Sequence, residues 1–194
     1  MYDFHKSVVY QCYFKSFYDS NGDGVGDLRG VTAKLDYLQK LGVDYIWLNP
    51  FFPSPQRDNG YDVADYCAVD PRFGTMADFE ELSREAEKRG IRLMLDMVFN
   101  HTSTEHEWFQ KALAGDPDYE DYYIWREGGP DGTPPNNWES KFGGNAWQYV
   151  PEKGKWYLHL FDPTQADLNW ENPRVRKELQ NVIRFWMDKG VKGF

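Results

Sequence analysis

The sequence is poor in cysteine, has no excess of positive charge and has no long apolar run. Its 194 residues include two cysteines, Cys12 and Cys67, which are too few for a disulfide framework and lack metal-ligand spacing, so we expect free thiols. The formal charge of -9 argues against nucleic-acid or anionic-membrane partners. No stretch approaches the ~20 apolar residues of a membrane span, and residues 1–13 lack the apolar core of a signal peptide. We therefore expect a cytoplasmic globular protein.

Aromatic residues, by contrast, are abundant. Eight Trp, 13 Tyr and 13 Phe make up 18% of the chain. Flat apolar rings with polar edges are surfaces on which sugars stack, although most aromatic side chains bury their area in a core. Composition alone therefore permits a carbohydrate-binding protein without requiring one.

Strand and helix patterns alternate along the chain. Apolar runs predict strands at 7–13, 43–48, 91–99 and from Val191, and helical spacing predicts helices at 31–41, 76–88 and 173–189. The unbroken apolar character of 91–98 predicts a strand buried on both faces, as in parallel sheets. Residues 101–171 break the alternation and predict an inserted, mostly irregular domain with β-hairpin character. The predicted divisions are thus 1–100, 101–171 and 172–194.

This order of elements fits either an open doubly wound sheet or a closed barrel. A (β/α)8 barrel needs about 250 residues, so the chain holds three strand-helix steps and the start of a fourth strand. Asn49, Asn100 and His101 follow the predicted strands at the end where such barrels carry their chemistry. The prediction is an α/β fold, the N-terminal portion of a (β/α)8 TIM barrel with an inserted domain after the third strand.

Residues 19–27 have the spacing of a cation-binding loop. Oxygen ligands recur at alternate positions around a glycine-rich turn: Asp19, Asn21, Asp23, the Val25 carbonyl and Asp27. Gly30 stands where an EF-hand has its bidentate Glu, so this is not an EF-hand. The prediction is structural Ca2+. Mg2+ and a solvated Asp-Gly turn without metal are the alternatives.

Several segments together carry a family resemblance. Residues 96–101 resemble the third-strand motif of the α-amylase superfamily, and 165–169 resemble the segment that marks its oligo-1,6-glucosidase subfamily. Residues 19–27, 58–62 and 122–125 also match that subfamily. The resemblance covers essentially the whole chain and implies a (β/α)8 barrel with an inserted B domain.

The resemblance also implies a set of substrate-binding residues. Asp58 would hydrogen-bond the hydroxyls of the non-reducing glucose, Tyr61 would stack on its ring, and His101 would reach its 6-hydroxyl. Phe142 and Gln165 would close the pocket from the inserted domain. Taken alone, Asp58 could simply belong to a turn and His101 could be a core histidine.

Details within the subfamily favour one substrate. Ala166 stands where members acting on isomaltose-type sugars usually carry Pro. This alanine, together with the segment 140–144, resembles the sequence of trehalose-6-phosphate hydrolases. The resemblance thus implies hydrolysis of trehalose 6-phosphate to glucose and glucose 6-phosphate, with oligo-1,6-glucosidase or a related α-glucosidase as the alternative. Lys141 is a candidate phosphate contact by charge, against the usual interpretation of a lone lysine as solvated surface.

The attacking residues of such an enzyme are not in the sequence. A retaining glycosidase uses two carboxyl groups about 5 to 5.5 Å apart, one as nucleophile and one as acid. The family places both, and a further stabilising Asp, after Phe194. We therefore assign no catalytic residue and expect the isolated 194-residue chain to lack glycosidase activity. A non-catalytic carbohydrate-binding or transport-associated relative, and a structural protein that uses only the cation loop, are the other classes. Hydrolysis versus transglycosylation and the oligomeric state stay open.

Overall fold

The computed structural model describes residues 4–194, which form two compact units. The first contains the residues up to Pro53, Cys67–Met97 and Val182–Phe194. The second contains Ser54–Tyr66 and Val98–Asn181. The domain divisions expected from the sequence stay predictions.

The first unit is built on a parallel sheet. Its strands are β1 (Val9–Cys12), β2 (Tyr45–Leu48) and β3 (Arg92–Leu95), and its helices are α1 (Leu28–Ala33), α2 (Leu35–Lys40) and α3 (Met76–Lys88), with 3-10 turns at Phe4–Lys6 and Phe14–Ser16. The strands pair in the order β1-β2-β3. Gly193 extends this order by a parallel bridge to Met94, with Leu95 N–H donating to the Gly193 carbonyl at 3.0 Å. A doubly wound sheet reverses its strand order, whereas a barrel adds strands in sequence, so the observed order agrees with the barrel prediction.

Local chemistry sets the limits of α3. The Thr75 hydroxyl accepts the N–H of Asp78, and the Asp78 carboxylate accepts the N–H of Thr75, which forms a capping box. Gly90 follows the helix at φ 74°, the left-handed conformation that favours glycine. The helix buries Phe79, Leu82 and Ala86. Its predicted range, 76–88, is confirmed.

Other predicted elements are interrupted or shorter. The single helix expected at 31–41 is two helices, α1 and α2, separated at Lys34. The third strand ends at Leu95, and Arg92 and Met94 are only half-buried, so the predictions that it extends to residue 99 and is buried on both faces were wrong.

A tight aromatic cluster forms part of the core of the first unit. Trp186 lies in the C-terminal part of α6 (Pro173–Asp188) and is fully buried. Its ring centroid lies 4.8 Å from that of Phe79, 5.4 Å from Phe51 and 5.7 Å from Phe52. Edge-to-face and tilted ring contacts of this kind are typical of a protein core, so these aromatic residues need no role in ligand binding.

The second unit consists of two small antiparallel sheets and two short helices. Its elements are β4 (His101–Ser103), α4 (Glu107–Leu113), α5 (Pro117–Glu120), β5 (Trp125–Arg126), β6 (Trp147–Val150), β7 (Lys155–Leu158) and β8 (Gln165–Asp167), followed by the first part of α6. β4 pairs with β8, and the second sheet has the order β5-β7-β6. The β6-β7 hairpin matches the predicted hairpin character, whereas the two helices were not predicted.

The start of α6 follows the cap chemistry expected from the sequence. Asn172 Oδ1 accepts the N–H of Arg174 at 2.9 Å, and Pro173 is the first helical residue. Among residues 4–194, none of the helices has the length and apolar character needed to cross a membrane.

Candidate functional site

Strand pairing in the second unit brings together two segments that are far apart in the sequence. In the antiparallel register of β4 and β8, His101 lies opposite Asp167 and Ser103 lies opposite Gln165. His101, Gln165 and Asp167 are all buried. The two motifs of the family resemblance are therefore neighbours in space.

A polar cluster forms around the Gln165 amide. Gln165 Nε2 donates to Asp58 Oδ2 at 2.8 Å and lies 3.1 Å from His101 Nε2. The same His101 nitrogen lies 3.0 Å from the Tyr61 carbonyl oxygen. Gln165 Oε1 accepts the N–H of Asp162 at 3.0 Å, which orients the amide. Asp58, Tyr61, His101 and Gln165 are thus neighbours in the structure, and their substrate-binding roles stay predictions.

A buried carboxylate shapes the turn that presents Asp58. Asp62 is fully buried and accepts three hydrogen bonds: from Ser54 Oγ at 2.8 Å, from Arg57 N–H at 2.9 Å and from Asp58 N–H at 3.2 Å. Asn59 has a positive φ of 54°, which Asn tolerates better than most residues. Sequence reasoning missed the role of Asp62, although its position at the end of the 58–62 motif was a usable signal.

Aromatic rings connect Phe142 to the polar cluster. The Phe161 ring centroid lies 5.2 Å from that of His101 and 5.7 Å from that of Phe142. The Phe142 side chain is 60% exposed, so one face is available for a ligand. Phe161 was not predicted as a site residue. Lys141 is exposed, and none of the described residues forms an ion pair with it.

Burial controls the ionisation of the two titratable side chains on β4 and β8. Burial lowers the pKa of His101, although the Tyr61 carbonyl and the charges of Asp58 and Asp62 oppose this shift, so the ring is neutral at pH 7. Burial raises the pKa of Asp167 to about 6, even though its carboxylate accepts hydrogen bonds from Leu160 N–H and the Asn100 side chain. The Leu160 bond measures 2.9 Å.

Asp96 lies in the first unit, directly after β3. Its carboxylate accepts the indole N–H of Trp47 on β2 at 3.3 Å, and its N–H donates to the Leu48 carbonyl at 3.2 Å. Both contacts tie the chain after β3 to the neighbouring strand. Asp96 thus helps to fix the position of the chain that follows β3.

The predicted cation loop is also in the first unit, and its carboxylates hydrogen-bond the loop itself. Asp19 accepts N–H groups from Asn21, Gly22 and Gly24 at 2.7 to 3.2 Å. Both carboxylate oxygens of Asp27 are engaged, one with Gly30 N–H as the N-cap of α1 and the other with Ser20. Within residues 4–194 there is no group of three His, Cys, Asp or Glu side chains arranged to hold a metal. The all-oxygen donor set fits a hard cation chemically, and Asp27 would have to share its oxygens.

Comparison with known proteins places this geometry in context. The family model described as alpha amylase, catalytic domain, matches residues 11–194. Trehalose-6-phosphate hydrolase of Escherichia coli (strain K12) is 63% identical over 186 residues, which are 96% of this chain and 34% of that protein. Oligo-1,6-glucosidase of Parageobacillus thermoglucosidasius is 57% identical over 190 residues, again covering 97% of this chain and 34% of that protein.

A solved structure of a relative also matches nearly the whole chain. The crystal structure of Bacillus licheniformis trehalose-6-phosphate hydrolase superposes with a TM-score of 0.96 at 57% identity, covering 97% of this chain and 34% of that one. The chain therefore spans about a third of the length of the relatives that it matches.

Proposed function

The chain belongs to the alpha-amylase catalytic-domain family of TIM-barrel glycosidases, and we propose that the full-length gene product is a retaining α-glycoside hydrolase that cleaves trehalose 6-phosphate into glucose and glucose 6-phosphate. The residues of this chain would bind and orient the sugar. We assign none of them as the nucleophile or the acid of the reaction.

One observation carries the proposal: the Asp58 carboxylate, the Gln165 amide and the His101 ring converge, and Phe161 connects His101 to the exposed ring of Phe142. A sugar hydroxyl both donates and accepts, so it binds where an acceptor and a donor each lie within about 3 Å of its oxygen. Asp58 supplies the acceptor, and Gln165 holds it in place at 2.8 Å. We infer that Tyr61 stacks on the same sugar and that Phe142, in the same unit, covers it.

The phosphate of the proposed substrate requires a positive group. Lys141 is exposed and precedes Phe142 directly, so its ammonium is our candidate for that contact. Lys141→Gln should then raise KM for trehalose 6-phosphate and leave KM for unphosphorylated trehalose unchanged. Equal KM values in wild type and variant would identify Lys141 as a solvated surface residue.

The second candidate function is that of an oligo-1,6-glucosidase, which the 57% identity with the Parageobacillus enzyme favours. The purified full-length protein should be assayed with trehalose 6-phosphate and isomaltose in parallel. A higher kcat/KM for trehalose 6-phosphate supports the first function, and a higher value for isomaltose supports the second. A folded protein that binds sugar and turns over neither would instead be a non-catalytic relative.

The role of Asp58 is tested by a matched pair of variants. Asp58→Asn removes the charge that receives the sugar hydroxyls, and we expect kcat/KM to fall by at least about tenfold, which corresponds to one lost charged hydrogen bond. Asp131→Asn, in an exposed loop, is the control and should match wild type. Equal losses in both variants would contradict the proposed role.

We also propose that residues 19–27 hold Ca2+, with Mg2+ as the alternative. The support is the spacing of the oxygen donors and the way in which Asp19 already curls the loop around itself. A cytoplasmic location is likewise a proposal, supported by the observation that Cys12 and Cys67 do not form a disulfide in residues 4–194.

A further inference from the structure

The position of one proton on His101 depends on its neighbours. His101 Nδ1 lies 3.2 Å from Asn100 Nδ2, and His101 Nε2 lies 3.0 Å from the Tyr61 carbonyl oxygen and 3.1 Å from Gln165 Nε2. A neutral imidazole carries a single N–H, so one ring nitrogen donates and the other accepts. The partner at Nδ1 therefore decides what Nε2 can do.

Asp167 determines which end of the Asn100 amide faces His101 Nδ1. The Asn100 side chain donates to the buried Asp167 carboxylate, and an ionised carboxylate can only accept hydrogen bonds. The NH2 group of Asn100 must therefore be the end that faces Asp167. The same NH2 group lies against His101 Nδ1, which must accept, so the proton of the ring belongs on Nε2.

Two groups compete for His101 Nε2 with opposite requirements. The Tyr61 carbonyl needs an N–H on Nε2, whereas Gln165 can donate to Nε2 only if that nitrogen is bare. The Gln165 amide cannot turn around without cost, because its Oε1 receives Asp162 N–H at 3.0 Å and its Nε2 faces Asp58. With the proton on Nε2, Tyr61 is satisfied and the Gln165 N–H stays directed at Asp58.

We propose that Asn100 and Asp167 are positioning residues that hold His101 in the tautomer with its proton on Nε2. The consequence for sugar binding rests on the proposed function, because it assumes that His101 and Asp58 contact the substrate. The tautomer itself does not depend on that assumption. The charges that act on the His101 ring are those of Asp58 and Asp62, and the side chain within hydrogen-bond distance of Nδ1 is that of Asn100.

The arrangement predicts a dependence on pH. Burial raises the pKa of Asp167 to about 6, so the carboxylate takes up a proton as the pH falls through that value. A protonated Asp167 no longer requires the NH2 group of Asn100, and the amide is free to turn its oxygen toward His101 Nδ1. Within the neutral form of the ring, the preference for the Nε2 proton should therefore be strong while Asp167 is ionised and weaker once Asp167 is protonated.

The test is nitrogen NMR of the full-length protein labelled with 15N-histidine, recorded without sugar and assigned by loss of the signal in His101→Gln. In wild type at pH 8 we expect a protonated Nε2 and a bare Nδ1. Asn100→Asp places a carboxylate at Nδ1 and should move the proton to Nδ1. Asp167→Asn removes the charge that orients Asn100 and should give a mixture of tautomers.

Asn137→Asp, on an exposed loop, is the matched control and should leave the His101 signals unchanged. A proton on Nδ1 in wild type, or the same tautomer in wild type and both Asn100→Asp and Asp167→Asn, would overturn the proposal. If Asn100→Asp does not fold, Asp167→Asn decides alone. Because the spectra are recorded without substrate, they distinguish failure of this proposal from failure of the proposed enzyme activity.

Discussion

Asp167 should make the stability of this protein depend on pH in the direction opposite to that of a typical acidic residue. Most carboxylates in folded proteins have a lowered pKa and stabilise at neutral pH. Asp167 is only 4% exposed on β8, and burial raises its pKa to about 6. The folded state therefore binds the Asp167 proton more tightly than the unfolded state does.

The sign and the size follow from linkage. Below about pH 4 the Asp167 proton is bound in both states, and the stabilisation from the raised pKa is fully present. As the pH rises from about 4 to about 6, the unfolded state loses this proton first and stability falls by about 1.4 kcal/mol per pH unit. The whole effect is about 3 kcal/mol, of which about 1.4 kcal/mol falls between pH 5 and pH 8.

The assay is denaturant unfolding of the full-length wild type and Asp167→Asn at pH 5 and pH 8. Titrating groups away from Asp167 contribute equally to both proteins, and His101, whose neighbours the variant also changes, is followed separately by its NMR signals, so the remaining difference between the two free energies of unfolding reports Asp167. We expect wild type to lose about 1.4 kcal/mol more than the variant between these pH values. Asp131→Asn, on an exposed loop, is the control, and its free energy of unfolding should change between the two pH values by the same amount as that of wild type. A difference between wild type and Asp167→Asn that does not change with pH, or that changes with the opposite sign, would refute the reasoning.

Four further predictions concern packing, the site and the metal. Gly30→Ala should lower the free energy of unfolding, because the added Cβ would lie 1.9 Å from the Tyr18 carbonyl oxygen. This clash outweighs the helix preference of alanine, which is about 1 kcal/mol. An unchanged denaturation midpoint would contradict this prediction. Trp186→Ala should cost about 3 to 5 kcal/mol, whereas Met187→Ala, at a residue that is 55% exposed, should change stability by about 0.5 kcal/mol or less in the same measurement. Asp62→Asn should raise KM for the sugar by about tenfold, because two backbone N–H groups lose a charged acceptor; a wild-type KM would show that the turn does not need it. If residues 19–27 bind Ca2+, removal by EGTA should lower the melting temperature and added Ca2+ should restore it, while Ca2+-independent melting would favour the metal-free turn.

The elements that could be predicted from the sequence are those whose limits are set by adjacent residues. The pattern of residues 76–88 predicted α3 at its observed limits, and in the structure Thr75 and Asp78 cap its first turn and Gly90 follows its last. The end of β3 is decided by its partner strand. Pairing with β2 stops at Leu95, and an apolar run that continues beyond that residue gives no sign of it.

The second unit shows why short helices escape prediction. α4 has only two buried apolar positions, Phe109 and Ala112, and its N-cap is His106, which accepts Trp108 N–H through Nδ1. Histidine is not among the preferred caps. The aromatic and glycine-rich sequence around α4 therefore predicted irregular structure. In the structure, tertiary contacts of the Phe109 ring with Tyr123 and Tyr157 stabilise the helix.

The site shows a similar division. Asp58 and Gln165 are 107 residues apart, so no local pattern could indicate their hydrogen bond; only the family resemblance named both. Phe161 and Asp167 lie beside them and were not named as site residues. Their signal is proximity to His101, which exists only once β4 and β8 have paired.

The turn at residues 58–60 and the proposed sugar site can be one structure rather than alternatives. The backbone of Asp58 is held by Asp62, and Tyr61 N–H donates to the Asp58 carbonyl at 2.9 Å, while the Asp58 side chain points to Gln165. Backbone and side chain thus have separate partners. A change of the Asp58 side chain should therefore weaken sugar binding and leave the turn in place, whereas a change of Asp62 should disturb both. If Asp58→Asn and Asp62→Asn both raised KM but only Asp62→Asn lowered the melting temperature, the turn would be the scaffold and Asp58 the contact.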